Sequence, residues 1–342
     1  MDAVFDSSLI PTTVSPPDVG ASQGAHVHLT PTADRPTECP ATSLVARSID
    51  PLNIVIEAIE LADIEQDKTR QIHRYNTANH WLYEEGGQRP ENYEAVEEAA
   101  TARHWMAALK PDCQRFTIAP ADVGELLGLQ TVFYSRNGLS SGSLESIDDL
   151  ANKRCFHELR EALMLGRYFV RSDYASLKCG KHGNKVYHSL AEVFESMVTS
   201  KRSHSPLGRT GRQAELSLYL IPWVNINPDL EFRVFVHQNN ITAISQQCIY
   251  QKNQCLQRSD IPEIVRKISA YFRDNIRDQV HTLDSYVMDM ALVGDGASTV
   301  YFIELNPFGK DYTSGAAAFS WVDDADKLCT NAPGTIHFRY VV

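Results

Sequence analysis

Three side chains near the C-terminus, Asp289, Glu304 and Asn306, have the types and spacing that suit a hard, oxygen-loving cation. Glu304 and Asn306 stand two apart in the apolar run 299–309, which Pro307 ends. Residues two apart on a strand share a face and lie about 6.6 Å apart along it, so a carboxylate and an amide oxygen there can hold a cation together with phosphate oxygens. Strict alternation puts Val300, Phe302, Glu304 and Asn306 on one face and Tyr301, Ile303 and Leu305 on the other. Asp289 lies in the preceding apolar stretch 286–292. A lone carboxylate buried there is costly unless paired; a cation shared with Glu304 and Asn306 explains it, and so does an exposed edge or a hydrogen-bonded core acid. Arg171 sits in a short apolar run, followed by a glycine-containing loop with Lys178 and Lys181. Cations flanking such a loop suit nucleotide phosphates, with Arg as a fork and Lys as a point charge, although basic loop residues are more often simply solvated.

The elements that carry these groups follow from periodicity and turn residues. Stretches 286–292 and 299–307, joined by the glycine-rich 293–298, read as an antiparallel hairpin. Stretch 231–236 reads as a strand with Glu231, Arg233 and Phe235 on one face, turned back by Asn239 and Asn240 into 241–247; Glu231 is a possible ion-pair partner for Arg233. Residues 53–75 and 91–109 show helical spacing, separated by the breaker 84–90. Residues 116–134 suggest a small strand-and-helix unit, and 143–165 one long helix stopped by Gly166. Ser189 and Glu192 form a capping box for a buried helix, and 259–276 is amphipathic with Pro262 in its first turn. The basic loop 200–212 reads as a mobile loop or a lid over an anionic substrate, and 310–318 as a small-residue loop just past the candidate metal ligands.

The chain of 342 residues is long enough for two lobes at about 100–200 residues per domain. Its 43% hydrophobic content supports a globular body, and a net charge of −11 argues against a nucleic-acid-binding surface. The seven cysteines never form a C-x-x-C pair, which argues against zinc and a disulfide framework. No signal-peptide pattern and no run of 18 apolar residues is present, so the expectation is a cytoplasmic protein without membrane contact. Residues 1–48, with six of the 16 prolines and only Arg35 and Arg47 as basic residues, read as a disordered leader. A mostly helical region follows at 49–165 and the body carrying the candidate site at 166–342.

In order, the Arg171 strand, the Arg233 strand, Asp289 and the run Glu304-Leu305-Asn306-Pro307-Phe308-Gly309 resemble the ATP-grasp superfamily, over about residues 169–321. The chain is most similar to two branches, the cell division cycle protein 123 family and the clade named for one arginine and two lysines. The resemblance implies an α+β fold of two lobes that hold ATP between antiparallel sheets. It implies that Arg171 and Lys178 contact phosphates and that Leu220, Ile221, Trp223 and Val224 form a hinge that meets adenine. Mg²⁺ would be held by Asp289, Glu304 and Asn306, and Arg233 would be a catalytic cation beside the transferred phosphoryl group.

Two functions follow from the resemblance. The first expectation is an ATP-dependent ligase that joins a small carboxylate to an amine through an acyl phosphate. The alternative is an ATP-binding assembly chaperone for translation initiation factor 2, acting through its gamma subunit; Trp223, Ile244-Ser245-Gln246 and Asn306-Pro307-Phe308-Gly309 favour it. Arg171 in place of the usual Lys, Glu304 in place of the common Asp, and an unfamiliar N-terminal half depart from that family. A degenerate ATP-binding scaffold is the third reading.

Overall fold

The computed structural model describes residues 52–70, 73–201, 205–208, 214–330 and 334–342. The leader expected at 1–48 lies outside the described residues, as does much of the basic loop 200–212. Strands β1 (Asn53–Ile59), β2 (Gln114–Ile118), β3 (Tyr168–Ser172) and β4 (Leu216–Pro222) are followed by β5 (Glu231–His237) and β6 (Asn240–Gln246). The last three are β7 (Tyr286–Val293), β8 (Thr299–Pro307) and β9 (Thr335–Val341). Six of them form one sheet in the order β1-β9-β6-β5-β7-β8, and three form a second in the order β2-β4-β3. The first is mixed, parallel where β9 meets β1 and β6 and antiparallel from β6 to β8; the second is antiparallel throughout.

Helices α1 (Leu61–Asp67), α2 (Tyr93–Ala99) and α3 (Ala102–Leu109) come early in the chain. Then come α4 (Pro120–Arg136), α5 (Ser141–Ala151), α6 (His157–Leu165), α7 (Leu190–Thr199), α8 (Ile261–Tyr271) and the short α9 (Ala325–Leu328). The small lobe packs α4 to α7 on the three-stranded sheet around Phe194, Met197, Leu216 and Leu218. The large lobe packs α3 and α8 on one face of the six-stranded sheet around Phe232, Met288, Phe302 and Phe338. Its other face is covered in part by Ala316, Phe319, Trp321 and Leu328, which pack on Phe235 and Val287. This is the two-lobed α+β architecture expected.

Several elements differ from the periodicity reading. The helix expected over 53–75 begins instead as β1, because β-branched Ile54, Val55, Ile56 and Ile59 suit a pleated surface and β9 supplies the hydrogen-bonding edge. The stretch 91–109 is two helices, broken at Thr101, which is extended and accepts no place in either. The amide of Ala102 then donates to the Asp173 carbonyl at 2.8 Å, tying the start of α3 to the small lobe. The long helix expected over 143–165 is α5 and α6, separated by a 3-10 turn at Arg154–Phe156. Ser189 caps α7 by accepting from the Glu192 amide at 3.2 Å, while Glu192 reaches back to the His188 amide. The β5–β6 hairpin turns at Gln238 and Asn239, both at positive φ, a pair of left-handed residues that matches the strand twist.

Candidate functional site

The decisive local feature is a bulge in β8. Asp289 of β7 faces Glu304, but the next pair is Met290 with Phe302, so Ile303 has no partner. One extra residue reverses which way every later side chain points. Phe302 and Leu305, three apart, therefore share the large-lobe core, while Glu304 and Asn306 turn to the opposite face. The strict alternation that placed Glu304 with Phe302 is corrected accordingly. Arg233 of β5 faces Asp289 directly, so adjacent strands bring Arg233, Asp289 and Glu304 side by side.

These groups pair with one another. Arg233 donates to both Asp289 oxygens, from Nε at 2.9 Å and from a terminal nitrogen at 2.8 Å, and to the Gly315 carbonyl at 2.7 Å. That bidentate pair on the neighbouring strand takes the place of the Glu231 partner considered from sequence. Arg171 crosses from β3 to Glu304 at 3.1 Å and lies over the Trp105 ring at 5.0 Å. Asn306 donates weakly to Asp289 at 3.4 Å, which leaves its amide oxygen free to accept or ligate. Burial raises the Glu304 carboxyl's affinity for its proton, but Lys178, Arg171 and Arg233 outweigh it and hold the group well below the ordinary carboxylate range. Glu304 in turn raises the pKa of Lys178.

Two cavities meet here, sharing Arg171, Ser176, Lys178 and Glu304. One, of about 280 Å³, is lined by Phe169, Ile221, Trp223, Val224, Tyr301 and Ile303. Its size and apolar walls suit a flat ring, since small-molecule sites are mostly apolar with a few placed polar groups. The other, of about 810 Å³, runs past Arg233 and Asn306 to the loop Thr313-Ser314-Gly315, and α2 closes its far side. The expected residues Arg171, Lys178, Ile221, Trp223, Val224, Arg233, Glu304 and Asn306 all line one or other cavity, with Asp289 beneath Arg233 and Asn306. Leu220 does not: it is buried in the small-lobe core, on the other face of β4 from Ile221. Lys181 points away as well, pairing with Glu195 at 2.6 Å.

Two charged residues matter more than their sequence context suggested. Glu231 lines the apolar cavity, and burial, with the charge of Asp289 adding to it, pushes its carboxyl up to about 7. Lys110, at the end of α3, is buried against β8 and donates to the Phe302 carbonyl. Nothing in the local sequence marks Lys110, because its partner is far away in the chain; Glu231 was legible as a member of the Arg233 face.

Among the described residues, no group of three or more His, Cys, Asp or Glu side chains could hold a metal. The candidate set is smaller, two carboxylates and an amide oxygen on adjacent strands. This donor set fits a hard divalent cation that takes its remaining ligands from phosphate and water. The Asp289 oxygens already accept from Arg233 but keep lone pairs for a cation.

Residues 180–342 match the family model described as D123. Curated relatives include a translation initiation factor eIF2 assembly protein of Candida albicans, 32% identical over 120 residues, covering 34% of this chain and 32% of the relative. The cell division cycle protein 123 of Eremothecium gossypii is 26% identical over 183 residues, covering 48% of this chain and 45% of the relative. The chain spans about a third of the length of the first curated relatives it matches, at 32%, 37% and 28%. The structure of Cdc123 from Schizosaccharomyces pombe superposes with a TM-score of 0.51 at 15% identity, covering 72% of this chain and 98% of that one. The chain therefore resembles the cell division cycle protein 123 family in both sequence and fold.

These relatives overturn the expectation of a carboxylate–amine ligase, and small carboxylate and amine substrates go with it, since the relatives are named as assembly proteins. The physical reason is that cations, paired acids and an apolar slot serve nucleotide binding whether or not a phosphoryl group is transferred. Among the described residues no helix is long and apolar enough to cross a membrane.

Proposed function

We propose that this chain is an ATP-binding assembly protein that acts on translation initiation factor 2, with the gamma subunit as its partner, in the cytoplasm. The observation that carries the nucleotide half is the junction of the two cavities at Arg171, Ser176, Lys178 and Glu304. An apolar slot for a ring opens there onto cations for phosphates. In this reading adenine sits among Phe169, Ile221, Val224, Tyr301 and Ile303, while Arg171 and Lys178 meet the phosphates. Asp289, Glu304 and Asn306 would hold Mg²⁺, which when bound offsets phosphate charge. Arg233 holds the Asp289 carboxylate in place through two hydrogen bonds, and its contact with Gly315 ties the site to the loop that follows β8. The assembly half rests on the D123 match and on the names of the relatives.

The test mixes the purified chain with the purified gamma subunit, with and without Mg²⁺-ATP, and reads nucleotide affinity by calorimetry and the complex by size-exclusion chromatography. Micromolar or tighter ATP binding and a stoichiometric complex are expected. Absence of ATP binding would refute the nucleotide half, and absence of a complex under both conditions would refute the assembly half.

A further inference from the structure

Lys110 is buried to 8% exposure, and its ammonium donates to the Phe302 carbonyl and lies 3.4 Å from the centre of the Tyr301 ring. The ionisable groups that act on it are Arg171 and Cys113, and no carboxylate pairs with it among the described residues. An ammonium buried without a counter-ion is unfavourable, and burial, with Arg171 adding repulsion, lowers its pKa to about 7. Such a residue is out of place as mere packing, so its contact point is informative.

Phe302 is the last β8 residue in regular register before the unpaired Ile303. β8 is the edge of its sheet, with β7 on one side, so a side chain from α3 can reach its backbone. We propose that Lys110 is a positioning residue for the nucleotide site: its bond to the Phe302 carbonyl fixes the bulge that swings Glu304 out of the core and toward Arg171. The same helix holds the other partner of that ion pair. Trp105 meets the Phe302 ring edge-on at 5.4 Å and lies beneath the Arg171 guanidinium. α3 thus braces a cation from the small lobe and an anion from the large lobe, from a part of the chain that precedes the matched residues 180–342.

The inference rests on the nucleotide reading of the cleft, and the experiment separates the two. ATP affinity is measured with and without Mg²⁺ for the wild type, Lys110→Met and Lys110→Arg, with hydrogen exchange followed in a peptide spanning 299–307. Lys110→Met is expected to bind metal-free ATP no more weakly than the wild type, lose at least tenfold of the Mg²⁺ enhancement, and exchange faster around the bulge. Lys110→Arg, which keeps a donor, should recover most of the enhancement. Should Lys110→Met not fold, Lys110→Leu, which likewise has no donor, takes its place with the same expectation of lost enhancement. A wild type that binds no ATP overturns the nucleotide reading and this inference with it. A wild type that binds, beside a variant with undiminished enhancement or unchanged exchange, overturns this inference alone.

Discussion

Glu304 and Asp289 each hold an arginine, so the site stores its charge as two internal ion pairs. On the proposed nucleotide reading, metal-free ATP would have to displace Glu304 from Arg171 and then lie beside an uncompensated carboxylate, and a cation would remove both obstacles. Unit charges 4 Å apart interact by about 4 kcal/mol at the effective dielectric of a protein surface, enough to dominate affinity. Glu304→Gln should therefore bind metal-free ATP several-fold more tightly than wild type while losing the Mg²⁺ enhancement by tenfold or more. The glutamine oxygen can still accept from Arg171, which protects the fold. Calorimetry with and without Mg²⁺ decides the matter, and a variant that loses affinity equally in both conditions contradicts the exchange of partners. At this scale the sequence was partly legible. The residues Asp289, Glu304, Asn306, Arg233 and Arg171, picked out by type, do come together at one cleft. Their pairing did not show, because Arg171 and Glu304 lie 133 positions apart and Lys110 and Phe302 lie 192 apart.

At the scale of elements, alternation gave the right strands and the wrong face for β8, because an unpaired residue such as Ile303 leaves no compositional mark. Helical spacing likewise misassigned 53–59, where the partner strand β9 lies at the far end of the chain. The loop that carries Lys178 shows how closely elements set the site. It docks on α7 through the Lys181 amide to the Thr199 hydroxyl at 2.8 Å and through Lys181 and His182 to Glu195, each at 2.6 Å. Gly180 makes that approach possible, for a Cβ there would lie 2.2 Å from the Ser196 carbonyl oxygen. Gly180→Ala must lift the loop off α7, and strain of this kind costs about 1–3 kcal/mol. A melting temperature lowered by several degrees and ATP affinity weakened at least fivefold are expected, read by calorimetry on the purified variant. Wild-type values for both would show that the docking does not position Lys178.

At the scale of the molecule, the matched residues 180–342 and the residues that complete the fold are different sets. β1 adds the outer strand beside β9, and β2 pairs with β4 from Leu216 to Leu220. Helices α4 and α5 cover Val193, Phe194 and Met197 of α7, and α3 covers Phe302. A fragment of residues 166–342 would carry every candidate ligand yet expose the edges of β4 and β9 and a large share of both cores. Burial is worth roughly 25 cal/mol per Å² of apolar surface, and a domain's net stability is only about 5–15 kcal/mol, so a loss of several large buried side chains exceeds the margin. The fragment 166–342 should show no cooperative thermal transition and should bind a hydrophobic dye, whereas residues 50–342 should melt cooperatively, since they form one compact unit. A cooperative transition in the shorter fragment, with ATP affinity intact, would mean that the first half of the chain is an accessory to the nucleotide site rather than part of its frame.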